Sequence, residues 1–174
     1  MQAAREGGFL GGQLRLPIIQ APMAGVSTPA LAAAVSNAGG LGSIGLGAES
    51  AEGARRMILA TRDLTSNAFN VNVFCHRPAP GNPALNASWL ERLRPEFARF
   101  DAPAPSSLPE IYKSFIADNA MLEVLVASKP PVVSFHFGVP GAAQLEALRA
   151  AGSTLIATAT SLQEAECLAR AGMD

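Results

Sequence analysis

The chain has little charge, little cysteine and no long apolar run, and each lack removes a class of function. Charged residues make up 16% of the 174 residues, and the formal net charge is −1. There is no basic field to draw in nucleic acid or an anionic membrane surface, so neither is expected as a partner. The two cysteines, Cys75 and Cys167, give no disulfide framework and suit a reducing compartment. Together with His76 and His136 they lack any metal-ligand spacing, so no metal site is expected. No uninterrupted stretch of about 18 apolar residues occurs, which excludes a helical membrane span. Arg5 precedes Leu16 without a long apolar run, so the N-terminus does not read as a secretory signal. The composition predicts a soluble, cytoplasmic α/β domain with enough chain for a real core.

What is present is alanine, glycine and a series of short apolar runs. Leu16–Met23 reads as a strand, and the stretch "PIIQAPMAG" (Pro17–Gly25) stops it abruptly at a methionine among small residues. Something must approach the backbone closely at Ala21–Gly25. Next, Ser27 or Thr28 can cap a helix, Pro29 suits its first position, and Gly39-Gly40 supplies its stop. "LGSIGL" (Leu41–Leu46) is a second strand, Ser50–Asp63 an amphipathic helix, and "FNVNVF" (Phe69–Phe74) a third strand. The proline-rich stretch of about 76–107, with one helical piece in "SWLERLRPEFARF", reads as an insertion after that strand. A helix is predicted over Leu108–Ser128, a fourth strand in "VVSFHF", a helix over Gln144–Ala151, a fifth strand in "STLIATAT", and a helix over Ser161–Ala171. "GMD" at 172–174 resembles a helix stop and the start of another strand.

About five strand-then-helix units with nearly all-apolar strands predict parallel strands covered on both faces. An open doubly wound sheet normally carries Gly-x-Gly-x-x-Gly after its first strand. Here that turn is "APMAGVST", with one glycine, and the glycines of "GGLGSIGLG" flank a strand instead of opening a helix. A partial (β/α)8 barrel is therefore the predicted fold.

The stretch "PIIQAPMAGVSTPALAAAVSNAGGLGSIG", with "FNVNVFCHRP", "VVSFHFG" and "AGMD", resembles the nitronate monooxygenases, formerly 2-nitropropane dioxygenases. The likeness runs from about Leu14 to Asp174 and implies the N-terminal portion of a single FMN-dependent TIM-barrel domain. It further implies oxidation of alkyl nitronates to carbonyl compounds and nitrite by molecular oxygen. A flavin-dependent enoyl-acyl-carrier-protein reductase on the same barrel is the alternative, as is a noncatalytic half-barrel that associates with itself or a complementary half. The reductase would need a basic acyl-carrier surface, and the only basic cluster near a strand end is His76-Arg77.

Barrel ligands sit at the C-terminal ends of the strands, so Ala21, Pro22 and Gly25 are expected to face the flavin edge. Met23 suits its face, because a thioether fills irregular gaps. The competing reading is a tight βα turn without a ligand. Asn70 and Asn72 share one face of the third strand, where buried amides need partners. The resemblance puts the flavin contact at Asn72; a polar layer without a ligand is the other possibility. Ser134 and His136 share a face of the fourth strand, and His136 is either a satisfied core residue or a substrate-pocket group that supports a nitronate oxygen. Ser43, with Gly45, is a weaker pocket candidate. The catalytic histidine of the family sits in a "GGH" segment, which this sequence does not contain, so no residue here is expected to be the base.

Overall fold

The computed structural model describes residues 14–78 and 80–174. Contacts divide the chain into two compact units, Pro78–Ile111 and the remainder.

The larger unit is built around four parallel strands in sequential order: β1 (Gly42–Gly45), β2 (Phe69–Phe74), β3 (Val132–His136) and β4 (Thr154–Ala157). This is the order of a partial (β/α)8 barrel; a doubly wound sheet would place the first strand in the interior. The helices of this unit are α1 (Pro29–Asn37), α2 (Ala51–Leu64), α4 (Asn119–Ser128), α5 (Ala142–Ala150) and α6 (Leu162–Arg170). Four of the five begin at a side-chain cap, and at α5 the Gly141 N–H donates instead to Gln144 Oε1 at 3.1 Å. Thr28, Ser50, Asp118 and Ser161 accept a backbone N–H from the first turn of α1, α2, α4 and α6. Phe69, Val71 and Val73 of β2 join Ile44, Ile58, Leu125, Val133 and Leu148 in one buried cluster between sheet and helices. That leaves Asn70, Asn72 and Phe74 on the opposite, inward face.

Two expectations are corrected. The first predicted strand is reduced to one parallel bridge, Ile19 to Leu41. Pro22 has no N–H with which to extend the ladder, and the Gln20 side chain takes over the pairing. Its Nε2 donates to the Ser43 carbonyl at 3.1 Å, and its Oε1 accepts from the Ser43 N–H at 3.3 Å. The predicted helix over Leu108–Ser128 begins only at Asn119, after a 3-10 turn at Phe115–Ala117. Pro109 disfavours helix in the residue before it. The Asp118 carboxylate then accepts from Met121 N–H at 3.2 Å and sets the start.

At the other edge, Asp174 follows α6 and lies against β4: its N–H donates to the Leu155 carbonyl at 2.8 Å, and its Oδ2 accepts from the Leu155 N–H at 3.1 Å. Gly42 is fixed by packing of β1 on α1, because a Cβ there would lie 1.8 Å from the Ala32 carbonyl oxygen. The smaller unit contains α3 (Pro83–Arg99), capped by Asn82, with Pro95 inside it and no buried residue along it. Among the described residues no helix is long and apolar enough to cross a membrane.

Candidate active site

The inward face of the sheet rises in two layers toward the C-terminal strand ends. The lower layer is polar and closed. Ser43 pairs with Asn70, and Asn72 pairs with Ser134, across adjacent strands. Asn70 Nδ2 donates to Ser43 Oγ at 3.2 Å and to Ser134 Oγ at 2.9 Å. Asn72 Nδ2 donates to Ser134 Oγ at 2.9 Å and to the Ser134 carbonyl at 3.1 Å. All four residues are buried, Ser43 and Asn72 completely. The two carboxamide oxygens, Asn70 Oδ1 and Asn72 Oδ1, are buried with no hydrogen-bond partner. Leaving a buried acceptor unmade costs about 1–3 kcal/mol, so two side by side need an explanation outside packing.

Above this layer the strand ends are aromatic. Phe74 continues the inward face of β2, and His136 that of β3, with their rings nearly parallel at 14° and 6.3 Å between centroids. Tyr112 and Phe137 lean on Phe74 at 5.4 and 5.0 Å. Phe137 is 68% exposed and has φ +67°, a strained conformation for a bulky side chain. The next residue explains the turn: Gly138 has φ +148°, and a Cβ there would stand 2.5 Å from the Cys75 carbonyl oxygen. The chain can leave β3 only at this angle because residue 138 is glycine.

His136 is half-buried, and burial holds its imidazole below the ordinary histidine pKa. At neutral pH it is a neutral ring able to donate one hydrogen bond, not a fixed cation. It borders a cavity of about 670 Å³ with Phe137, Val139, Thr158, Glu164 and Cys167. The Glu164 carboxylate accepts from the Thr160 N–H and hydroxyl, which holds its pKa below the usual carboxylate range. Cys75 lies at the end of β2, and burial pushes its thiol up to about 12, so it is not a nucleophile.

The loop at Ala21–Ser27 is organised by Ser27, which the sequence offered only as a candidate helix cap. Ser27 Oγ accepts from Met23 N–H at 2.8 Å and from Gln20 Nε2 at 3.1 Å, and donates to the Ala21 carbonyl at 3.1 Å. Thr28, not Ser27, caps α1. Gly25 sits at the tip with φ +73° and open space where a Cβ would project. Met23 is 43% exposed beside it, and Gly45 lies under the loop, its missing Cβ 3.2 Å from the Ala24 nitrogen. Pro22 has no N–H, so it contributes to the loop as a rigid turn residue and not as a donor. Among the described residues no group of three or more His, Cys, Asp or Glu is arranged to hold a metal ion.

The family model for nitronate monooxygenase matches residues 12–174. The chain is 58% identical over 158 residues to a nitronate monooxygenase of Paraburkholderia phytofirmans, covering 91% of this chain and 43% of that protein. It is 51% identical to a nitronate monooxygenase of Pseudomonas aeruginosa, covering 92% and 46%. Among solved structures, the nitroalkane oxidase of Streptomyces ansochromogenes superposes with a TM-score of 0.83 at 39% identity, over 95% of this chain and 46% of that one. FabK from Thermotoga maritima is more distant, with a TM-score of 0.65 at 29% identity over 93% of this chain and 40% of that one. The chain thus spans less than half the length of these relatives.

Proposed function

The chain belongs to the nitronate monooxygenase family, and from that premise we propose that it supplies the flavin-ring cradle and part of the substrate pocket of an FMN-dependent enzyme. The reaction is oxidation of alkyl nitronates to carbonyl compounds and nitrite with molecular oxygen. The observation that carries this reading is the pair of buried, unpartnered carboxamide oxygens, Asn70 Oδ1 and Asn72 Oδ1, directly below the aromatic strand ends. A flavin pyrimidine edge carries an imide N–H of the kind a carboxamide oxygen accepts, and its flat ring suits the exposed Met23 side chain beside Gly25.

In this reading Asn72 holds the ring edge. The loop Ala21–Gly25 lets the ring approach the backbone, with Pro22 fixing the loop and Gly25 its tip. FMN bound there supplies electron acceptance from the nitronate, with oxygen as terminal oxidant. His136 donates a hydrogen bond to a nitronate oxygen and orients it, without being charged. Ser43 supports the layer through Asn70. A nitronate is already deprotonated, so this chemistry needs no base from the chain. Neutral nitroalkanes do need one, and no residue here is assigned that role. The whole chain is read as part of one barrel domain, with the insertion following β2.

The test uses a full-length protein containing this chain, purified and supplied with FMN. The reading expects a yellow protein that consumes oxygen and releases nitrite from propyl-2-nitronate. A colourless protein refutes it. NAD(P)H oxidation without nitrite favours the reductase alternative.

A further inference from the structure

Phe137 combines two features that a large apolar residue normally avoids. It follows His136, the last residue of β3, with φ +67° and 68% of its surface exposed. A left-handed backbone disfavours any side chain with a Cβ, and a ring so exposed recovers little by burial. The turn is dictated by Gly138 against the Cys75 carbonyl, but nothing in it requires a ring at 137. Glycine would make the same turn without strain. Strain that the fold does not need points to a role at the site.

The ring is the common wall of two cavities at the C-terminal strand ends. On the β4 side lies the cavity of about 670 Å³ that His136 borders, with Thr158, Thr160 and Glu164 across it. On the β2 side lies a cavity of about 480 Å³ bounded by Phe74, His76 and Tyr112. Phe137 lines both. Its plane stands at 69° to the Phe74 ring and 74° to the His136 ring, with centroids 5.0 and 5.9 Å away. Those two rings are nearly parallel to each other, so Phe137 crosses them edge-on and partitions the two spaces.

We propose that Phe137 is a specificity-determining residue: its ring keeps the substituent on the nitronate carbon out of the aromatic β2-side cavity, so the site selects small alkyl nitronates over aryl ones. This rests on the nitronate reading above, in which His136 orients a nitronate oxygen. An aryl substituent confined to the β4 side meets the Thr158 and Thr160 hydroxyls and the Glu164 carboxylate, and stripping water from such groups is costly. A methyl or ethyl group displaces far less of that water. With the ring gone the two cavities join, and an aryl group meets Phe74 and Tyr112 instead, whose rings suit a flat aromatic partner.

The test compares wild type, Phe137→Gly, Phe137→Ala and Phe137→Tyr in the full-length protein supplied with FMN, with urea melts reporting that each is folded. The quantity read is kcat/KM for phenylmethyl nitronate divided by kcat/KM for propyl-2-nitronate, from nitrite release. This ratio is expected to rise at least about tenfold in Phe137→Gly and Phe137→Ala, and to stay within about twofold of wild type in Phe137→Tyr, which keeps the ring. Binding of nitrobenzene, followed by calorimetry, needs no turnover and is expected to tighten at least about fivefold in the two ringless variants. An unchanged ratio in the ringless variants, or an equal rise in Phe137→Tyr, overturns the proposal. Unchanged nitrobenzene affinity overturns it as well. A wild type that releases no nitrite, while nitrobenzene binds more tightly to the ringless variants, refutes the nitronate reading and leaves the partition standing.

Discussion

Replacing Asn72 with alanine separates what this side chain does for the fold from what it does for a ligand. In the free protein Asn72 makes two donor bonds, at 2.9 and 3.1 Å to Ser134, each worth about 1 kcal/mol net. Its oxygen is buried without a partner, which costs about 1–3 kcal/mol. Alanine removes both effects together, and they oppose. Ser134 Oγ keeps its bond from Asn70 at 2.9 Å, so no new orphan is made there. The stability of the ligand-free protein should consequently change by less than about 1.5 kcal/mol, read from the urea midpoint at constant slope. FMN binding has no such compensation, because the bound state loses an acceptor for a buried donor. Affinity should weaken by about 1–3 kcal/mol, or about 5- to 150-fold, measured by quenching of FMN fluorescence on titration. The reasoning is refuted if the variant loses more than about 3 kcal/mol of stability yet binds FMN as tightly as wild type. Asn72 would then belong to the fold alone.

Other outcomes follow from the same structure. Because burial lowers the folded-state pKa of His136, the unfolded chain takes up this proton first as pH falls through about 6.5. Stability contributed by neutral His136 should be present above that pH and decline below it, and His136→Gln should flatten the difference between urea melts at pH 7.5 and 5.5. Exposed Cys167 should react with a thiol reagent in the native protein while Cys75, buried with its thiol at about 12, should react only after denaturation. Mass spectrometry after labelling reads this as one adduct against two. Gly42→Ala drives a Cβ to 1.8 Å from the Ala32 carbonyl oxygen, a backbone clash that should destabilise by about 3 kcal/mol or more. Gly81→Ala, with nothing within 4 Å, should change urea stability little.

Much of this arrangement was legible in the residues, and the failures have identifiable causes. Strict alternation in "FNVNVF" put Asn70 and Asn72 on one face, and the structure confirms that face as the inward one. Ser134 and His136 were placed together by the same period of two. What alternation cannot show is that one serine receives both asparagines, since that depends on the register of β2 against β3. The first strand is shorter than its composition suggests because backbone pairing ends with the Gln20 N–H on the Leu41 carbonyl, and at Ser43 the Gln20 side chain takes the place of the backbone. Ser27 and Thr28 both fit a helix cap, and only the loop geometry assigns Thr28 to the helix and Ser27 to the Ala21–Met23 turn. The late start of α4 was hidden because Leu108–Asp118 carries helix-compatible residues around Pro109. Strain at Phe137 could be suspected only from the Gly138 that follows it.

The central claim is that the buried amide layer receives a flavin edge. A crystal structure of the flavin-loaded full-length protein tests it most directly. The account predicts a flavin N–H within about 3.2 Å of Asn72 Oδ1, with the ring against Met23 and the Ala21–Gly25 loop. Flavin bound elsewhere, or Asn72 Oδ1 satisfied by the protein itself, would contradict it.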